Sequence, residues 1–183
     1  MAGAIAAEAI TPLFTAEAIA RRVDDLAGAI AARGLHDLIV VAVLKGSFIF
    51  AADLIRALHR HGLTPEIDFI FLASYGSGTT GGAVKILRDV ESVLAGRDVL
   101  IVDDILDSGR TLIFAKEILA ARGARSVSAC ILLDKQVPRE AAVTPDFTGF
   151  QCPDVFVVGY GMDIAHRYRE LPFIGVLEGE HQD

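Results

Sequence analysis

Runs of apolar residues divide this chain into alternating strand and helix segments. Continuous apolar runs predict buried strands at residues 38–44, 67–72, 99–102, 127–133, 155–158 and 174–177. Apolar positions three and four residues apart predict helices over 15–33 with Thr15 as N-cap, over 48–61, and over a segment that starts near Thr111. Residues 136–153 carry no clear pattern and are expected to be irregular. The alternation predicts an α/β fold, with a mostly parallel twisted sheet flanked by helices.

Composition limits the classes of protein to consider. The 183 residues suffice for one domain with a substantial core. Although 52% of the residues are apolar, no uninterrupted apolar run approaches the roughly 20 residues of a membrane span. The N-terminal segment lacks the basic residues of a signal peptide and carries Glu8. We therefore expect a cytoplasmic protein that does not interact with a membrane.

Cysteine content and charge exclude two further kinds of chemistry. The two cysteines, Cys130 and Cys152, cannot build a disulfide framework and do not have the spacing of metal ligands. The net charge is −7, and no basic stripe or tail is present to neutralise phosphates. Nucleic acid is therefore not an expected partner, and a small anion would be bound by backbone amides and a few local cations.

Residues 99–111 contain the most informative cluster of polar side chains. Asp103 and Asp104 directly follow a predicted buried strand, where open α/β sheets bind ligands. Asp107 opens a turn, and residues 108–111 lead into a helix whose first N–H groups can bind phosphate. Carboxylates beside a phosphate suit sugar hydroxyls or Mg²⁺. The segment predicts a ligand with a phosphate, a polyol and a bound cation.

A glycine-rich segment admits two interpretations. Residues 76–81 match the dinucleotide pattern G-x-G-x-x-G after a predicted strand, and residues 83–94 have apolar positions that fit a helix. Ser74 and Tyr75 are large for a tight turn, however, and Gly81-Gly82 would disfavour the first helical turn. A mobile loop that joins two strands is favoured, and a dinucleotide site is the alternative.

Residues 99–111 resemble the phosphoribosyl diphosphate (PRPP) binding motif of type I phosphoribosyltransferases. Four further matches, in order along the chain, narrow the resemblance to the hypoxanthine-guanine phosphoribosyltransferase family in its short bacterial form: Leu44-Lys45-Gly46-Ser47, Ser74-Tyr75-Gly76, Lys135, and residues 156–163 with Arg169. The resemblance implies a single type I phosphoribosyltransferase domain over residues 1–183. It also implies a lid loop at about 74–84 and a small hood from about 1–15 and 155–183.

The resemblance assigns the matching residues to parts of the ligand. The catalytic residue is Asp107, which contacts N7 of a purine. The PRPP and 5′-phosphate group comprises Asp103, Asp104, Ser108, Gly109, Arg110 and Thr111. The pyrophosphate group comprises Lys45, Gly46 and Arg169, with a Leu44–Lys45 peptide that is often cis in relatives. The purine group comprises Lys135, Phe156, Val157 and Asp163, the Mg²⁺ group comprises Asp163, Asp103 and Asp104, and the lid begins at Ser74 and Tyr75.

The implied reaction transfers the phosphoribosyl group from PRPP to N9 of hypoxanthine or guanine, giving IMP or GMP and pyrophosphate with Mg²⁺ as cofactor. Lys135 can only donate hydrogen bonds, so it suits a 6-oxo group and opposes the 6-amino group of adenine. A homodimer or homotetramer is implied. A PRPP-sensing regulator on the same fold is the alternative, although Asp107, Lys135 and Arg169 together favour an enzyme.

Ordinary structural roles are the alternative for individual site residues. Lys45 would then be a surface lysine at a strand end, and Lys135 would pair with Asp134. Phe156 would be a core residue and Asp163 the cap of the following turn. Arg169 would be a solvated surface residue beside Arg167. These alternatives are distinguished by burial and by contact partners.

Overall fold

The structure is a computed structural model, which describes residues 10–74, 84–139 and 142–177. Strands and helices alternate through most of the chain, so the predicted α/β class is confirmed. In chain order the elements are β1 (Ile10–Phe14), α1 (Ala16–Ala31), β2 (Ile39–Leu44), α2 (Phe48–Arg60), β3 (Glu66–Ser74), β4 (Val84–Arg88), β5 (Asp98–Leu106), α3 (Arg110–Ala121), β6 (Ser126–Lys135), β7 (Phe147–Cys152), β8 (Val157–Val158) and β9 (Ile174–Leu177).

A six-stranded sheet in the order β4-β3-β2-β5-β6-β7 forms the centre of the fold. Its strands are parallel except β4, which pairs antiparallel with β3. Helices α1 and α2 cover one face, where they pack on residues such as Val40 and Leu100. Helix α3 covers the other face and packs on the neighbouring positions Val41 and Ile101. Strand β2 and residues 99–102 of β5 are continuous apolar runs because both of their faces are buried.

Helix α1 shows how closely local signals determine an element. The Thr15 side chain accepts a hydrogen bond from the backbone N–H of Ala18 at 3.2 Å, as expected of an N-cap. The apolar positions at helical spacing, Ile19 to Ile30, are buried against α2 and the sheet. The helix ends at Ala31, two residues before the predicted end.

Strands β1, β9 and β8 form a separate three-stranded antiparallel sheet. Strand β1 was not among the predicted strands; it contains Pro12 and lies at the edge of this sheet, where a missing N–H is tolerated. Within the predicted strand 155–158, only Val157 and Val158 pair as a strand. The small sheet brings the two ends of the described chain together beside the carboxyl ends of the central strands.

Three segments of the central sheet differ from the predicted strands. Residues 147–152, which we expected to be irregular, form edge strand β7, parallel to β6. Residues 84–88 form β4, which excludes the helix of the dinucleotide alternative and agrees with a loop that joins two strands. The glycines of that loop, 76–82, lie outside the described residues. Strand β5 also continues four residues beyond Val102, so Asp103 and Asp104 lie within it.

The remaining sequence expectations concern cysteines and membrane spans. Cys130 and Cys152 are both buried and neither forms a disulfide. Burial raises the pKa of both thiols, so they behave as small apolar side chains. In the described ranges, each helix is too short or too polar to cross a bilayer.

Candidate active site

A cleft of about 600 Å³ opens where the central strands end and the small sheet begins. Strand ends of β2, β3, β5 and β6 form one wall, and the segment around β8 forms the other. Many of the residues assigned from sequence line this cleft: Lys45, Gly46, Asp104, Asp107, Lys135, Phe156, Val157, Asp163 and Arg169. Three lysine or arginine side chains thus share one cavity with three carboxylates.

The end of β5 supplies two adjacent, poorly solvated carboxylates. Asp103 is 7% exposed, and its Oδ1 accepts a hydrogen bond from the Asp104 backbone N–H at 3.0 Å. Burial raises the pKa of both carboxyl groups, and the neighbouring Asp104 charge raises the pKa of Asp103 further. The charge of Arg169 acts in the opposite direction on the pKa of Asp104. Asp104 lines the cleft, whereas Asp103 is not among the lining residues.

Gly46 allows Asp104 to occupy its position. The peptide between Leu44 and Lys45 is cis, and the chain then passes directly over the Asp104 side chain. A Cβ on Gly46 would lie 1.9 Å from Asp104 Oδ2. Gly161, with φ +103°, fits against the same turn, because a Cβ there would lie 2.2 Å from the carbonyl oxygen of Gly46. Lys45 Nζ lies 5.5 Å from the Phe71 ring centroid, on the cleft wall.

Residues 108–111 form the turn that begins α3. Gly109 is the N-cap with φ +84°, a conformation that favours glycine, and it has no side chain to cap the helix. The first helical hydrogen bond runs from Ile113 N to Gly109 O at 3.0 Å. Ser108 Oγ lies 3.5 Å from Arg110 N, which is the outer limit of a hydrogen bond. This helix start adjoins Asp107 and presents backbone N–H groups suited to an anion.

Lys135 lies between two carboxylates in the cleft. It is 8% exposed, and its Nζ lies 3.4 Å from Asp154 Oδ1 and 3.9 Å from Asp107 Oδ2. Asp134 pairs with Arg139, so the Lys135–Asp134 pair considered from sequence is wrong. Phe156 is 37% exposed and lines the cleft, which excludes its assignment as a core residue. A flat apolar ring and a buried cation thus face the same space.

The loop after β8 holds an ion pair at the mouth of the cleft. Arg169 Nη2 lies 2.6 Å from Asp163 Oδ1, and Arg169 Nη1 donates to the carbonyl of Gly161 at 2.5 Å. Asp163 Oδ2 also accepts the backbone N–H of His166 at 2.8 Å, so the capping role considered from sequence is real and coexists with the ion pair. Arg169 is therefore held in place rather than solvated beside Arg167.

Two residues that contact polar residues of the cleft, without lining it themselves, were not identified from sequence. Asp154 contacts Lys135, and Arg139 binds the ends of both β5 and β6. Asp154 could have been noticed as an acid two residues before Phe156, whereas Arg139 lies in the segment expected to be irregular. Of the predicted lid residues, Ser74 is the last residue of β3, and Tyr75 lies outside the described residues.

The carboxylates of the cleft can be tested for their fit to a metal. Within residues 10–74, 84–139 and 142–177, no group of three metal-ligating side chains comes together. A protein-only metal cage is therefore absent from this part of the chain. Mg²⁺ usually takes only one or two carboxylates together with waters and substrate phosphates. Asp104 and Asp163, which line one cleft, provide that kind of donor set.

A strand-end cleft with these residues is typical of a ligand-binding α/β enzyme, and comparison with known sequences identifies its family. The sequence-family model of the phosphoribosyl transferase domain matches residues 10–165. The hypoxanthine phosphoribosyltransferase of Escherichia coli is 51% identical over 140 residues, which cover 76% of this chain and 77% of the relative. The hypoxanthine-guanine phosphoribosyltransferase of Bacillus subtilis is 47% identical over 141 residues, with the same coverage.

Solved structures agree with these relatives. A hypoxanthine-guanine phosphoribosyltransferase from Bacillus anthracis superimposes with a TM-score of 0.85 at 43% identity, covering 91% of this chain and 97% of that chain. A Trypanosoma cruzi hypoxanthine phosphoribosyltransferase gives a TM-score of 0.87 at 38% identity, with 93% and 92% covered. The chain belongs to the hypoxanthine and hypoxanthine-guanine phosphoribosyltransferase family.

Proposed function

We propose that the protein is a purine salvage transferase that moves the 5-phosphoribosyl group from PRPP to N9 of hypoxanthine or guanine. The observation that carries this proposal is one cleft with three kinds of contact. It combines an apolar ring and a buried lysine for a base, carboxylates for a sugar and a cation, and basic groups for a diphosphate. IMP or GMP and pyrophosphate are the products.

Base recognition is assigned to Lys135, Phe156 and Val157. Lys135 Nζ donates to the 6-oxygen of the purine, because a buried ammonium group has donors only. The exposed Phe156 ring stacks on the base, and the Val157 backbone faces its edge. Adenine would present its 6-amino donor to the lysine in place of an acceptor, and the loss of a buried hydrogen bond in this way costs about 1–3 kcal/mol. This cost favours 6-oxopurines over adenine.

Recognition of PRPP is assigned to both sides of the strand ends. The start of α3, residues 108–111, binds the 5′-phosphate through its backbone N–H groups. The ribose hydroxyls are bound by Asp103 and Asp104. Lys45, Gly46 and Arg169 bind the pyrophosphate, and the contacts of Arg169 with Asp163 and Gly161 hold its guanidinium in advance. Such prior ordering lowers the entropic cost of binding.

Mg²⁺ is the proposed cofactor, bound by Asp163 and by Asp103 and Asp104 together with the substrate. The adjacent carboxylates of buried Asp103 and cleft-lining Asp104 support this proposal, because their raised pKa values mean that a nearby cation would stabilise them as anions. When bound, Mg²⁺ neutralises charge that develops on the departing pyrophosphate. Lys45 and Arg169 act on the same charge from the protein side.

Asp107 is the proposed catalytic residue. As N9 forms its bond to C1′ of the ribose and the bond from C1′ to pyrophosphate breaks, the Asp107 carboxylate accepts or shares the proton on N7. Its side chain is exposed at the cleft wall and lies 3.9 Å from Lys135, which contacts the same base. The nucleophile is the base itself, so no serine or cysteine nucleophile is required.

The organisation of the chain around this site is also part of the proposal. Residues 1–183 form one domain, with a lid at about 74–84 and a hood from about 1–15 and 155–183 that includes the small sheet. We further propose a cytoplasmic homodimer or homotetramer, which light scattering of the purified protein would test. A lid that excludes water would protect PRPP from hydrolysis during the reaction.

An absorbance assay tests the proposed reaction. Purified protein is incubated with PRPP and, separately, with hypoxanthine, guanine, xanthine, adenine and uracil, with and without Mg²⁺. We expect Mg²⁺-dependent turnover of hypoxanthine or guanine and none of adenine or uracil. Absence of turnover with both 6-oxopurines would reject the enzyme, and PRPP binding without turnover would instead support a regulator.

A pair of matched variants tests the role of Asp107. Asp107→Ala should lower kcat by roughly 10²–10⁴-fold, the usual contribution of a positioned proton acceptor, while PRPP binding measured by calorimetry changes little. Glu117→Ala removes an exposed acid from α3 and serves as the control. Near-normal turnover of the Asp107 variant would remove this residue from catalysis.

A further inference from the structure

Arg139 binds the ends of two neighbouring strands with a single guanidinium group. Its Nε donates to the Asp107 carbonyl at 3.0 Å, and its Nη2 donates to the carbonyls of Lys135 at 2.7 Å and Leu106 at 3.4 Å. The same Nη2 pairs with the Asp134 carboxylate. The side chain is largely buried, with 18% of its surface exposed. One arginine thus contacts the backbone of two of the residues that are assigned to the base, Asp107 and Lys135.

The Arg139 contacts lie at the point where the pairing between β5 and β6 ends. The last residue pair of the β5–β6 ladder is Leu106 with Asp134, so Asp107 lies one residue beyond the ladder. Strand pairing therefore does not fix Asp107 relative to Lys135. The Arg139 guanidinium links the two strands one residue beyond their last ladder pair, because it bonds the carbonyls of both Asp107 and Lys135.

We propose that Arg139 is a positioning residue, which sets the separation of the Asp107 carboxylate from the Lys135 amine and so shapes the base subsite. The inference rests on the proposed function, in which those two side chains contact neighbouring atoms, N7 and the 6-oxygen, on one edge of the purine. Arg139 does not line the cleft and reaches the base only through these two residues.

The chemistry of the guanidinium explains why an arginine stands here. Its five N–H donors form a rigid planar fork, which can hold several acceptors at once. A lysine has a single nitrogen on a flexible stem and cannot hold the Asp107 carbonyl and the Asp134 carboxylate in the same geometry. Asp134 is in turn held by Gln151, whose Nε2 donates to Asp134 Oδ2 at 3.3 Å. The arginine is therefore oriented by its own partner.

A binding experiment separates positioning of the base from general stabilisation. Affinities for IMP and for ribose 5-phosphate are measured by calorimetry for the wild type and for Arg139→Lys. The two ligands share the sugar phosphate and differ only in the base. We expect weakened IMP binding, unchanged ribose 5-phosphate binding, and kcat/KM for hypoxanthine lower by about 10–100-fold, since displacement of contact groups by about 1 Å costs up to 10²-fold.

Arg22 provides a matched control. It also bonds backbone carbonyls, those of Thr148 at 2.7 Å and Gly149 at 2.6 Å, but at β7 and away from the cleft. Arg22→Lys should lower the thermal midpoint and leave the ratio of IMP to ribose 5-phosphate affinity unchanged. If Arg139→Lys behaves like Arg22→Lys, or weakens both ligands equally, the positioning role is refuted.

A second variant covers the case in which Arg139→Lys does not fold. Asp134→Asn removes the charge that orients Arg139 but leaves its backbone acceptors in place. It should shift the same affinity ratio in the same direction by a smaller factor, and an unchanged ratio would refute the inference. A wild type without turnover would count against the proposed function, whereas normal wild-type turnover with an unaffected ratio in both variants would count only against Arg139.

Discussion

Replacing Gly46 with alanine tests whether the backbone itself places Asp104 in the cleft. The new Cβ would lie 1.9 Å from Asp104 Oδ2 and 2.6 Å from Asp104 Cγ. Ordinary van der Waals contact begins at 3.4 Å, so the carboxyl group would have to move by about 1.5 Å. Its freedom to do so is limited because Asp104 follows the buried Asp103 within β5.

The displacement translates into an expected loss of activity. Displacing a contact group by about 1 Å can cost 10²-fold in rate, so kcat/KM of the Gly46→Ala variant should fall by roughly 100-fold. At about 1.36 kcal/mol per tenfold, this corresponds to about 2.7 kcal/mol of transition-state stabilisation. Insertion of a methyl group into a closely packed position also costs about 1–3 kcal/mol of stability, so the thermal midpoint should decrease as well.

The assay must separate lost activity from lost stability. Initial rates with hypoxanthine and PRPP are measured well below the thermal midpoint and corrected for the folded fraction. Gly149→Ala is the control, because its Cβ would lie 2.4 Å from the Leu132 carbonyl oxygen in β6, away from the cleft. This control should lose stability and keep its kcat/KM. A Gly46→Ala variant within about threefold of wild type, or a control that loses as much activity, would refute the reasoning.

Three further predictions concern stability. Arg125 pairs with Asp98 and lowers the pKa of its carboxyl group, so the stabilisation from Asp98 is complete above the unfolded-state pKa near 3.9 and is lost as the pH falls toward the folded-state pKa. In urea titrations, the loss of stability caused by Asp98→Asn should therefore shrink below about pH 4. A loss that stays constant with pH would contradict this. Thr15→Ala should cost about 1 kcal/mol by loss of the N-cap, whereas Thr15→Ser should not. Tyr160→Phe removes a hydrogen bond to the Asp53 carboxylate and should cost about 1.5–3 kcal/mol by denaturant titration, with no change as the opposing result.

The strands that carry the site were predictable because burial on both faces makes them continuous apolar runs. Strand β7 was missed for a specific reason. Gly149 and the polar residues around it are typical of a loop, yet the glycine is present because β6 approaches too closely for a Cβ. Strand β1 contains a proline and pairs with β9 near the other end of the chain, a partner that local patterns cannot reveal.

The residues of the candidate site likewise include some that were predictable from sequence and some that were not. Asp107, Lys135 and Arg169 belong to motifs, and the structure brings them into one cleft. Arg139 belongs to no motif, since its importance arises only where the ends of β5 and β6 come together. Asp154 becomes significant only through its distance to Lys135. A single sequence therefore does not reveal site residues whose role depends on contacts that form only when the chain folds.

The fit of Gly161 against the carbonyl oxygen of Gly46 determines how this protein can be recombined with relatives. The obstacle at 161 is a backbone atom, so no side-chain substitution elsewhere can make room for a Cβ there, whereas the obstacle at 46 is the Asp104 carboxylate. A chimera that exchanges residues 157–177 must therefore bring a glycine at 161 to meet the recipient's turn at 46. Libraries that seek a new base preference can vary Met162 or Phe156, but they should leave this pair of glycines intact.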